Sequence, residues 1–148
     1  MIDYDAIEVG TQLPAQQFRV QRHTLVQYAG ASGDFNPIHW NERVAREVGL
    51  PDVIAHGMLT MAEAIRVVTD WIGDPGTVID YGVRFTRPVV VPDPGGSMVE
   101  VSGRVSGKHD DVLDIDLRAT VDGQTVLAKA RAVVRVARPS REEVPQPT

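Results

Sequence analysis

Through the second half of the chain, apolar and polar residues alternate with a period of two. Val99, Val101, Gly103 and Val105 fall on one face, opposite Glu100, Ser102, Arg104 and Ser106. Leu113, Ile115, Leu117, Ala119 and Val121 alternate with Asp114, Asp116, Arg118 and Thr120. Val126, Ala128, Ala130, Ala132, Val134 and Val136 alternate mainly with Lys129, Arg131 and Arg135. This is the pattern of strands with one buried face. Asp122-Gly123 offers two residues that tolerate positive φ, which predicts a tight hairpin between the last two strands. Residues 78–85 read as an earlier strand, closed by Pro88.

The first half reads as short helices joined by loops. Thr24 followed by Gln27 fits a capping box, opening a short helix through Tyr28 and Ala29. Asn41 caps a second helix over 42–48, which Gly49 and Pro51 stop. The longest helical segment covers 58–72, after Gly57, and Gly73 and Pro75 end it. Its apolar residues, among them Met58, Leu59, Met61, Ala62, Ile65 and Val68, cover most of its circumference, so burial is expected. An antiparallel sheet with one apolar face and one buried helix make an α+β fold in which the sheet wraps around the helix.

Size, charge and residue types then exclude several classes. The 148 residues suit one domain, expected over 1–137, with the charged, proline-rich 138–148 expected to be a flexible tail. A net charge of -5 argues against nucleic acid as a partner. The absence of cysteine removes disulfides, thiolate metal sites and thiol nucleophiles. No apolar run reaches the roughly 18 residues needed to span a bilayer, and the start lacks the basic and apolar regions of an export signal. A cytoplasmic protein without a membrane span is expected.

Chemistry concentrates between Tyr28 and His39. Asp34 and His39 stand five apart across a loop pinned by Gly33 and Pro37, and Pro37 pushes Asn36 out of the helical region. A turn there can face a carboxylate and an imidazole on one small volume, a geometry suited to general acid–base catalysis. Alternatively, Asp34 and Asn36 simply bond local backbone in a turn; spacing alone leaves both readings open. Gly57, following His56 at the start of the long helix, presents an N–H at the positive end of the helix dipole, where it could hold a carbonyl oxygen. It could equally serve only as a tight entry to the helix. His109 reads as a solvated residue of a turn over 107–110, and His23 as having no role. No phosphate loop, dinucleotide fingerprint or nucleophile elbow occurs. Asp34, His39 and His56 are nominally a two-histidine, one-carboxylate set, but no paired-histidine spacing supports them, so neither a metal nor another cofactor is expected.

These same segments resemble a known family. Tyr28, Gly33, Asp34, Asn36, Pro37, Ile38, His39 and Ala45, with the run Ile54-Ala55-His56-Gly57-Met58, are similar to the signature of the R-specific hydratase 2 and MaoC-like dehydratase family. The run from Tyr81 to Val89 resembles the strand after that family's central helix, so the likeness extends over most of the chain. Within the family the chain looks most like the catalytic subunit of actinobacterial (3R)-hydroxyacyl-acyl-carrier-protein dehydratases. The resemblance implies a hot dog fold and a reversible dehydration of 3-hydroxyacyl thioesters, carried by acyl carrier protein or coenzyme A. It implies Asp34 and His39 as the catalytic pair and the Gly57 N–H as oxyanion donor; Asn36, His56 and Thr60 are expected beside them as supporting residues, without a role carried over from the family. Where some members carry a supporting serine on the central helix, this chain has Ile65. The resemblance also implies a homodimer, or a heterodimer with a noncatalytic hot-dog partner, and an apolar acyl tunnel is expected between the central helix and 44–54. An R-specific enoyl-CoA hydratase of another pathway and a noncatalytic acyl-binding subunit remain as alternatives.

Overall fold

A computed structural model describes residues 2–136; the expected tail at 138–148 lies outside the described residues. Five antiparallel strands, β1 (Gln12–Val20), β2 (Val78–Phe85), β3 (Ser97–His109), β4 (Val112–Val121) and β5 (Gln124–Arg135), form one sheet in the order β1-β3-β4-β5-β2. Helix α1 (Arg22–Ser32) and the short α2 (Glu42–Glu47) precede α3 (Gly57–Ile72), which packs against the sheet. Leu113, Ile115, Leu117 and Ala119 of β4 join Ala64, Val67 and Val68 of α3 in a single core. Asp122 and Gly123, at φ 48° and 74°, turn β4 into β5 as their residue types predict. Among the described residues, no helix is long and apolar enough to cross a membrane.

The strand β1 departs from the expectation of helices and loops in the first half. Its buried residues are Leu13, Phe18 and Val20. An irregularity in its pairing with β3 between Leu13 and Gln16 shifts the alternation by one residue, and Pro14 sits at that point. Broken phase and a proline together hide an edge strand. Three smaller corrections have equally local causes. Thr24 is the third residue of α1, not its cap: the Gln21 N–H donates to Thr24 Oγ1 at 3.2 Å. The helix α3 is buried on one side only, since Met58 and Ala62 are exposed; one sheet covers one face. His109 ends β3 rather than lying in a turn, and its Nε2 stands 3.6 Å from the buried Asp114 carboxylate, which also pairs with Arg131 at 2.8 Å.

The packing sets a test of where stability resides. Ile115→Ala should cost about 2–5 kcal/mol, because a fully buried side chain leaves a cavity beneath α3. Arg118→Ala, on the exposed face of the same strand, should stay within about 0.5 kcal/mol. Denaturant midpoints of the two variants check the contrast.

Candidate active site

The loop after α1 is shaped by its own short polar side chains. Gly33 ends α1 in the left-handed region, φ 75°, with its N–H on the Ala29 carbonyl at 2.9 Å. The Asp34 N–H donates to Ser32 Oγ, the Asn36 N–H to Asp34 Oδ1 at 3.1 Å, and the Ile38 N–H to Asn36 Oδ1 at 3.2 Å. Asn36 thereby caps a single 3-10 turn, Pro37–His39, which swings His39 inward to 7% exposure. The Asp-Phe-Asn-Pro segment therefore bonds its own backbone and also faces a carboxylate and an imidazole on one small volume. One carboxylate oxygen of Asp34 ties the turn, while the other, Oδ2, faces His39 Nε2 at 3.9 Å.

The tautomer of His39 follows from its partner. Nδ1 lies 2.7 Å from the Ile54 carbonyl, which can only accept, so Nδ1 carries the proton and neutral Nε2 is bare. That carbonyl is itself fixed. Short pairing places the Ala55 N–H on Val89 O and the Val91 N–H on Val53 O, and the Ile54 N–H donates to Ile38 O. Burial pushes the His39 imidazole below the usual histidine value, outweighing the Ile54 hydrogen bond that favours the charged form; nearby His56 adds to the lowering and Asp34 opposes it. A bare imidazole nitrogen and a carboxylate oxygen facing one volume can exchange protons near neutral pH.

His56 is almost wholly buried, at 1% exposure, and precedes α3 as its cap residue. Its Nε2 reaches the Asp34 carbonyl at 3.1 Å, and its ring stacks on that of His39, centroids 3.8 Å apart. The His56 carbonyl accepts from the Leu59 and Thr60 N–H groups. Gly57, at the start of the helix, presents an N–H with no intrahelical acceptor. A side chain at Gly57 would meet the Phe85 ring, with Cβ 3.0 Å from Cε1, so the glycine lets Phe85 close over the helix start.

Of these groups, His39 and Gly57 line a cavity of about 320 Å³, whereas Asp34, Asn36 and His56 stand behind its wall. Its lining includes His39, Gly57 and Thr60, the apolar Ile54, Val126 and Leu127, and the run Phe85 to Val89. The cavity thus lies between α3 and the ends of β2 and β5. Of the segment 44–54 expected to form the tunnel, only Ile54 reaches it. The two apolar strand ends and the Ile54 carbonyl carried no signal of their own, because pairing to distant segments brings them here. Thr60 lines the cavity, whereas Ile65 does not.

Asp34, His39 and His56 each bring a ligand-type atom to within 4.8 Å of the others, so the nominal set does come together, although no paired-histidine spacing in the sequence supports it. The set still fits a single ion poorly. His39 Nδ1 and His56 Nε2 are engaged with carbonyls, and the rings stack with planes only 24° apart. An ion bonded to both remaining nitrogens would lie well out of a ring plane, away from the lone pair that binds metal.

Comparisons with known proteins place this arrangement. The chain is 38% identical over 86 residues to 3-hydroxyacyl-thioester dehydratase X of Mycobacterium tuberculosis, a match covering 58% of this chain and 30% of that protein. It is 31% identical over 120 residues to an (R)-specific enoyl-CoA hydratase of Rhodospirillum rubrum, covering 80% of this chain and 82% of the relative. A solved MaoC-like dehydratase superposes with a TM-score of 0.89 at 39% identity, over 91% of this chain and 42% of that one. The chain therefore spans less than half of two of these relatives and most of the third, and its sheet and central helix are those of the hot dog fold. The model of the MaoC-like domain matches residues 6–122, and the chain belongs to the MaoC-like dehydratase family.

Proposed function

We propose that this chain is a (3R)-hydroxyacyl-thioester dehydratase, running in reverse as a trans-2-enoyl-thioester hydratase, with acyl carrier protein as carrier in fatty acid elongation. The observation that carries the reading is the bare Nε2 of a neutral, buried His39 facing Asp34 Oδ2 beside the first N–H of α3. The thioester carbonyl sits on the Gly57 N–H, where the helix dipole stabilises negative charge on its oxygen. One such donor contributes about 3–4 kcal/mol to a transition state. Elimination moves one proton from Cα to the departing 3-hydroxyl, and His39 and Asp34 carry it between them. A separation of 3.9 Å is too long for a direct hydrogen bond. It leaves room for one oxygen about 2.8 Å from each group, as a departing or attacking water requires. Asn36 holds the loop, and Thr60 offers the hydroxyl of α3 nearest this chemistry.

A second reading, an R-specific enoyl-CoA hydratase outside fatty acid synthesis, is supported by the greater coverage of the Rhodospirillum relative. It uses the same residues and differs only in the carrier. The working unit in this proposal is at least a dimer, in the cell a heterodimer with a noncatalytic hot-dog chain. Supporting it, β2 is an edge strand that exposes Ile79 and Phe85, with Met58 also exposed at the start of α3.

Product analysis with paired carrier-protein and coenzyme A thioesters tests the reading, and turnover of neither would refute it. Asp34→Asn and His39→Ala should each lower kcat by about 10²–10⁴-fold with circular dichroism unchanged, and EDTA should leave the parent rate unaltered. A folded variant with near-parental turnover would remove that residue from the mechanism. Because burial depresses the His39 value, the base form persists below the usual histidine range. The acid limb of kcat/KM should therefore be centred below pH 6.5, the ordinary value; a limb centred above it contradicts the assignment. Light scattering should give a dimer, and a stable, fully active monomer would end the assembly proposal.

A further inference from the structure

Of the buried polar groups near the cavity, His56 is the one the reaction scheme does not use. Its Nε2 faces a carbonyl that can only accept, so Nε2 holds a proton, and in the uncharged ring Nδ1 carries a lone pair. That Nδ1 is buried and, among the described residues, has no hydrogen-bond partner. A residue kept for packing alone would avoid a stranded acceptor, since a buried polar atom without a partner is costly. What the imidazole gains is the bond to Asp34, twenty-two residues away in sequence.

The bonds from Ser32, Asp34 and Asn36 give the loop its shape, yet all lie within the loop and none sets its place relative to α3. Three longer bonds do: His39 to the Ile54 carbonyl, the Ile54 N–H to the Ile38 carbonyl, and His56 to the backbone of Asp34, and of these only the last holds the Asp34 end of the loop. His56 also covers one face of the His39 ring and is in turn covered by Tyr28, at 4.8 Å between centroids. It is followed directly by Gly57, whose N–H is the oxyanion donor in the proposed reaction.

We propose that His56 is a positioning residue: donating Nε2–H to the Asp34 carbonyl while stacking on His39, it sets the Asp34–His39 gap and aligns both with the first N–H of α3. In their uncharged forms the two stacked rings are then opposite tautomers, Nε2–H on His56 and Nδ1–H on His39. The consequence for turnover rests on the dehydratase reading above; the tautomers do not.

Two substitutions separate the hydrogen bond from mere occupancy. In His56→Gln the amide nitrogen can take the place of Nε2, whereas in His56→Asn it falls one carbon short of Asp34. With a trans-2-enoyl-CoA substrate and the full chain, His56→Asn should lose about 10²-fold in kcat with KM within about threefold, the scale of a small misplacement of reacting groups. His56→Gln should recover at least about tenfold of that loss. Equal kcat in the two folded variants, or a loss confined to KM, would overturn the proposal. Imidazole ¹⁵N spectra of the unsubstituted protein at pH 7 give a readout independent of turnover and of whether the variants fold. They should show His56 as the Nε2–H tautomer beside His39 as Nδ1–H, and His56 protonated on Nδ1 instead would overturn the positioning role. Absence of turnover in the parent with both the coenzyme A and the carrier-protein thioester would count against the dehydratase reading alone and leave the spectra to decide His56.

Discussion

The burial of one face of α3 against the sheet is the constraint on which the rest of the molecule depends. Ala64, Val67 and Val68 are completely enclosed and lie in one core with Val101, Val105, Leu113 and Ile115. Burying the body of the helix fixes its first turn in place, beside the ends of β2 and β5. A helix start cannot satisfy its own first N–H groups. Here that unfilled valence meets a cavity rather than a neighbouring strand, and the place where the fold is least self-sufficient is the place where a ligand oxygen can be held.

The chain leading into α3 meets two demands at once. Residues 53–55 pair with Val89–Val91, which steadies the backbone and leaves the Ile54 carbonyl free to take the His39 proton. That bond selects the tautomer, and burial keeps the ring neutral. Arg22, at the start of α1, braces the same region from outside. It donates to the Val91 carbonyl and pairs with Asp52 and Glu42, joining α1, α2 and the entry to α3. Asp34 serves two neighbours in a similar way, with one oxygen tying the turn and the other facing His39 Nε2.

Much of this was legible in residue order. The period-two runs gave β3, β4 and β5, and the apolar stretch after Gly57 gave the long helix, because local alternation survives wherever a strand or helix has one buried side. The strand β1 was lost because the irregularity after Leu13 breaks its phase beside a proline. The one-sided burial of α3 was also missed. Apolar residues around a helix do not say how many neighbours cover it, and Met58 lies exposed despite its hydrophobicity.

For the site, the sequence by itself determined which groups were available: Asp34 and His39 across a rigid turn, and Gly57 at a helix start. It determined these because the short polar side chains and the proline act over a few residues, through bonds and φ restrictions that need no distant partner. Tertiary structure alone decided what those groups can do. The His39 tautomer depends on a backbone carbonyl fifteen residues away, and the backbone of Asp34 is held by His56 across twenty-two. The cavity wall comes from β2 and β5 and the segments beside them. Each of these is a long-range juxtaposition made by pairing and burial, and no residue type announces which distant carbonyl or ring it will face.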